Sequence, residues 1–128
     1  MDAKEMMELV EKFLEAWNSQ DVETVLNCYT EDCVYRDPNT RGEIHGHEAF
    51  RRYLTKLFVP WKMHWALREP FLFEGGGGGA FLWRARIAPA RGGEAVEIDG
   101  MDLVLVRDGR ISRNDVNFDR VKLLEAMK

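Results

Sequence analysis

The sequence predicts an α+β domain in which N-terminal helices pack into a strongly curved, mostly antiparallel sheet, a cone with an internal pocket. Three observations predict it. Apolar residues recur at three- and four-residue steps through Phe58, the period changes to two from Trp61 onward, and glycine-containing turns at Gly75 to Gly79 and Asp108-Gly109 divide the second half into strands.

The first helix follows from Met6, Leu9, Val10, Phe13, Leu14 and Trp17, with Asp2 three residues before Glu5 in the manner of a capping box. Asn18-Ser19-Gln20 breaks it, and Asp21 caps a short second helix whose apolar positions are Val22, Val25, Leu26 and Tyr29. The stretch Cys33 to Phe50 organises the chain. Val34 and Tyr35 favour a strand, Asp37-Pro38-Asn39 stops it at Asp37, and Gly46 precedes a third helix that buries Ala49, Phe50, Tyr53, Leu54, Leu57 and Phe58. Arg51, Arg52 and Lys56 fall on its solvated face.

Trp61, Met63, Trp65 and Leu67 share one side of the next strand, which Pro70 is expected to interrupt. Ala80 to Ala88 forms another strand beyond the five glycines, which read as a floppy hairpin loop. They are no phosphate-binding loop, since neither Lys-Ser nor Lys-Thr follows and no helix starts there. Ala95 to Arg107 and Ile111 to Phe118 pair across Asp108-Gly109, and Asp119 opens a terminal helix through Val121 and Leu124.

At 128 residues and 45% apolar content the whole of 1–128 reads as one domain, with room for a core and one pocket. A net charge of −4 with no basic stripe argues against nucleic acid as a partner. Residues 1–15 are amphipathic and charged, so neither a signal peptide nor a membrane span is expected, and the expected compartment is the cytoplasm. Cys28 and Cys33 are then free thiols, and two cysteines without further ligands make no zinc site.

Alternation along the long strand places Asp102 on the side of Val96, Ile98, Val104 and Val106. A carboxylate there must be paired, hydrogen-bonded or protonated, which makes it either a catalytic acid or a fold-supporting buried Asp. Asp37, at the mouth end of its strand, is either a general base or simply the residue whose side chain starts the turn before Pro38. His45 and His47 lack the partners a metal would need, and His64 falls on the face opposite Trp65. Phe13, Trp17, Tyr35, Phe50, Tyr53, Trp83 and Phe118 form the core first and line a pocket second, and Asn114 shares the parity of Val116 and Phe118, so it serves either a ligand or the fold. Met101, Leu103 and Leu105 lie opposite the Asp102 face, an apolar stripe that predicts a homodimer through the outer face of the sheet.

The order of elements, together with Asn18-Ser19-Gln20-Asp21, the VYRDP run ending at Pro38, Gly46-His47-Glu48-Ala49-Phe50 and Val106-Arg107-Asp108-Gly109-Arg110-Ile111, resembles the SnoaL-like and ketosteroid-isomerase-like superfamily of the nuclear transport factor 2-like fold. The resemblance spans nearly the whole chain. It implies a pocket for a small apolar ligand, no required cofactor and, often, a homodimer. It places Asp37 at the isomerase's general base and Asp102 at the carboxylic acid of its oxyanion hole, whereas the helix-one tyrosine of that hole falls on Phe13, which has no hydroxyl. The limonene-epoxide-hydrolase-like branch requires an Arg and an Asp two apart and a further Asp on the last strand; Arg84-Ala85-Arg86 and Val116 stand there instead. Asp115 is one residue from the last-strand position that cyclases use, and alternation turns it to the other face. The implied activity is an isomerase or cyclase in which Asp37 moves a proton next to a carbonyl and Asp102 donates to the enolate oxygen; the alternative is a non-catalytic ligand-binding or dimerisation domain.

Overall fold

In a computed structural model, which describes residues 1–125, four helices accompany a six-stranded sheet. Helix α1 spans Ala3–Ser19. Asp2 caps it, accepting from the Glu5 amide, while the Glu5 carboxylate accepts from the Asp2 amide in return. It ends where Gln20 turns left-handed, and α2, Val22–Leu26, starts from the Asp21 cap. Tyr29 is not part of that helix: it opens strand β1, Tyr29–Arg36. The helical spacing that includes it is a coincidence of one residue, because β1 needs Tyr29 buried from its first position.

Strand β2 is the two-residue Ile44–His45, absent from the sequence reading because so short an element has no period to detect. Helix α3, Gly46–Leu57, follows directly. Strands β3, Trp61–Leu72, β4, Gly78–Pro89, β5, Val96–Arg107, and β6, Arg110–Asn117, complete the sheet, and α4, Arg120–Glu125, packs against β5. The order is β2-β1-β6-β5-β4-β3, antiparallel throughout except where β1 runs parallel to β6.

Three expectations change. Pro70 does not end β3, which continues to Leu72 past a register shift between Leu67 and Glu69. As an edge strand, β3 tolerates a residue with no N–H to donate. The glycine run is only partly a loop, since Gly78 and Gly79 already pair with β5. A Cβ at Gly78, whose φ is +156°, would lie 2.0 Å from the Val104 carbonyl oxygen, so the close approach of two backbones demands glycine there. The terminal helix buries Leu123, while Val121 and Leu124 are exposed.

Asn18 and Gln20, read from sequence only as a helix break, pin the free edge of β3. Asn18 donates to the Trp65 carbonyl and accepts from the Trp65 amide, at 3.1 and 2.7 Å, and Gln20 makes the equivalent pair with the Trp61 carbonyl and the Met63 amide, both at 2.8 Å. Two side-chain amides thus stand in for a neighbouring strand and satisfy backbone groups that an edge leaves open.

Candidate functional site

The buried face of the sheet and the helices enclose an aromatic cluster. Trp17 of α1 stacks on Tyr35 of β1 with centroids 5.9 Å apart, Tyr35 stacks on Phe50 of α3 at 4.5 Å, and Trp65 meets Trp83 edge-to-face at 4.6 Å. Two adjoining cavities remain within it, each with room for about 30 Å³, the space of a water molecule. Phe13, Leu14, Trp83, Asp102 and Asn114 line the first, while the second opens on Asp37, Met63, Phe118 and Leu123. Trp17, Tyr35, Trp65 and Val116 line both and form the partition between them.

Of the aromatics expected to line a pocket, Phe13, Trp17, Tyr35, Trp83 and Phe118 do. Phe50 does not, because it lies behind Tyr35 and is fully buried. Tyr53 lines neither cavity and reaches the site through its hydroxyl. Sequence reasoning missed Trp65 and Val116. The available signal is the shared parity of Trp61, Met63 and Trp65, which puts them on one side of the strand without saying what they face.

Asp37 follows the last residue of β1 and is 9% exposed. Four donors surround its carboxylate. The amides of Asn39 and Thr40 reach Oδ1 at 2.7 and 3.1 Å, closing the turn that Pro38 makes necessary. The hydroxyls of Tyr35 and Tyr53 reach Oδ2 at 2.7 and 2.5 Å. Burial, followed by the Asp37 charge, holds both phenols above their ordinary range, so each remains a hydrogen-bond donor.

Asp102 is differently placed. It faces inward from the middle of β5, is 5% exposed, and accepts one direct bond, from Trp83 Nε1 to Oδ1 at 2.8 Å. Gly100 makes that bond possible, because a Cβ there would lie 2.3 Å from the Trp83 ring where the indole crosses β5. Desolvation pushes the Asp102 carboxyl up to about 7, against the opposing Trp83 hydrogen bond and the nearby Asn114 amide and with a smaller upward push from the Asp37 charge. Arg84 supplies Asp102 with no counter-charge, since it lies on the other face and pairs with Asp99 at 2.7 Å.

Asn114 is fully buried on β6. It accepts from the Tyr29 hydroxyl at 2.7 Å and donates to the Leu103 carbonyl at 3.3 Å, and Tyr29 in turn accepts from Trp17 Nε1 at 3.2 Å. His47 Nε2 lies 3.0 Å from the Tyr29 carbonyl oxygen, a contact that ties α3 to β1. Cys28 and Cys33 are buried free thiols raised by desolvation, Cys33 to about 11, which leaves them inert as nucleophiles.

The SnoaL-like domain family matches residues 10–114, which contain both carboxylates, both tyrosines beside Asp37, and Trp65. The chain belongs to that family. No curated protein matches its sequence. Among solved structures, a nuclear transport factor 2-like protein of unknown function from Burkholderia pseudomallei superimposes with a TM-score of 0.84 at 19% identity, over 100% of this chain and 99% of the other. The epoxide hydrolase/cyclase-like enzyme SalBIII, of pyran ring formation in the polyether salinomycin, matches with a TM-score of 0.82 at 18% identity, covering 94% and 95%. TerC, co-crystallised with polyporic acid, matches at 0.81 and 21%, covering 96% and 98%. Identities this low establish the fold alone. Within this SnoaL-like chain no helix among the described residues is long and apolar enough to cross a membrane.

Proposed function

We propose that this SnoaL-like protein binds a small, mostly apolar, carbonyl-bearing molecule and catalyses proton transfer on it, in the manner of an isomerase or cyclase. The observation that carries the reading is Asp102: a buried carboxyl raised to about 7, facing a cavity whose other walls are mostly aromatic. Protonated, it donates to the ligand oxygen, and in the buried cavity that bond stabilises the negative charge developing on an enolate more than the neutral ketone. Asp37 accepts the carbon-bound proton. Its four lone-pair directions are occupied, so one phenol, Tyr35 or Tyr53, must swing aside as the proton arrives. The SalBIII and TerC likenesses support a small-molecule role for the fold. Cavities of about 30 Å³ further require the ligand to displace part of the aromatic partition.

Exchange of the α-protons of β-tetralone in D₂O, followed by NMR, tests this. Wild type accelerates exchange, Asp37→Asn abolishes the acceleration while binding persists, and Asp102→Asn weakens it by a factor of about 100. Ketone binding with no acceleration in the wild type would favour the second reading, a binding domain without chemistry, which the saturated shell of Asp37 supports. We further propose a homodimer through the outer sheet face, where Met101 and Leu105 are 42% and 37% exposed. Sedimentation at micromolar concentration checks it, and a clean monomer contradicts it.

A further inference from the structure

Phe13 brings no polar group to the cavity beside Asp102, so the polar groups of its aromatic wall are the indole N–H groups and the Tyr35 hydroxyl. Three tryptophans line the Asp102 cavity. Trp17 Nε1 donates to the Tyr29 hydroxyl and Trp83 Nε1 donates to Asp102. The third, Trp65, has a buried Nε1 with no hydrogen-bond partner among the described residues. A buried donor left unpaired costs about 1–3 kcal/mol, and that cost is recovered when an acceptor enters the cavity.

Trp65 is also held in place. Its backbone is fixed on both sides by the Asn18 amide, and its ring is braced edge-to-face by Trp83 at 4.6 Å and by Trp17 at 6.1 Å. It lines both cavities, so it borders the Asp102 side and the Asp37 side together. A donor whose position is set before the ligand arrives loses little entropy on binding.

We propose that the Trp65 indole N–H is the second hydrogen-bond donor to the ligand oxygen, paired with the Asp102 carboxylic acid, and that it selects ligands bearing a carbonyl, enol or phenol over hydrocarbons of the same shape. This rests on the small-molecule reading above and deepens it. An acceptor between the two groups receives one bond from a carboxylic acid and one from an indole, neither carrying a formal charge. Such a pair suits an oxygen that gains negative charge during the reaction.

The test compares β-naphthol with naphthalene, which share a ring system and differ by one hydroxyl, by calorimetric titration of the wild-type protein and of Trp65→Phe. Phenylalanine keeps an aromatic ring and removes only the N–H and part of the bulk. Relative to wild type, the variant should lose at least about fivefold more affinity for β-naphthol than for naphthalene. Equal losses for both probes, or no loss for β-naphthol, overturn the assignment while the pocket reading stands. Failure of the wild type to bind either probe overturns both. A measurement that needs no variant runs beside it: in the ¹H–¹⁵N spectrum of wild type, the Trp65 indole proton should lie further downfield with β-naphthol bound than with naphthalene bound. An indole proton no further downfield under saturating β-naphthol than under saturating naphthalene contradicts the proposal.

Discussion

Asp37 and Asp102 are the same residue type, similarly buried at 9% and 5%, and they border adjoining cavities that share a wall. Their surroundings differ in one respect that decides their chemistry. Four donors converge on Asp37, two of them backbone amides of its own turn. One donor reaches Asp102 directly, from a side chain that Gly100 admits. Full hydrogen bonding makes a buried carboxylate a fixed node, whereas sparse hydrogen bonding leaves desolvation to set its protonation. Four donors hold Asp37 in one orientation, and burial raises the Asp102 carboxyl to about 7.

The largest effect that tests this contrast is the pH dependence of stability. The folded Asp102 carboxyl, at about 7, lies above its unfolded value, so its contribution is fully present below about pH 4 and is lost as pH rises to about 7. The loss amounts to roughly 4 kcal/mol if the group stays fully dry. Asp102→Asn escapes it, so urea unfolding should show the variant gaining on wild type from pH 4 to pH 8. Parallel curves would break the contrast.

Asp37→Ala should cost about 3 kcal/mol at neutral pH, because it strands two phenols and two amides together. A cost below about 1 kcal/mol in the same unfolding assay would mean that the four bonds do not act as a node. Tyr53→Phe is milder, about 1 kcal/mol, and frees one lone pair on Oδ2. If Asp37 is the proton acceptor, that variant should exchange β-tetralone protons faster than wild type despite its lower stability. The smallest effect is electrostatic fine-tuning. The Trp83 bond pulls the Asp102 carboxyl downward, so Trp83→Phe should raise its titration midpoint further, and a fall would contradict the weight given to that bond.

How much of this was legible in the sequence follows the same division. Helices α1 and α3 and the β5–β6 hairpin carry strong periods or turn signals, so their type was readable and only their ends moved. The inward direction of Asp102 was also readable, because alternation along a strand is a local property. The roles of Asn18 and Gln20 were not, since bonds to Trp61, Met63 and Trp65 join residues more than forty positions apart. Tyr53 acts on Asp37 only because α3 packs across β1, and Trp65 becomes notable only once its N–H is seen to lack an acceptor. Sequence patterns report which face a side chain takes, while hydrogen-bond satisfaction depends on what lies opposite.

Asp102, raised to about 7, holds its proton near neutrality, while Asp37 is fixed by its donors. Carboxyl ¹³C chemical shifts of Asp102, followed by NMR from pH 3 to pH 9, test it most directly. A titration midpoint near 7, absent from the Asp102→Asn spectrum, is expected. A midpoint at or below the ordinary aspartate value of about 3.9 would contradict it.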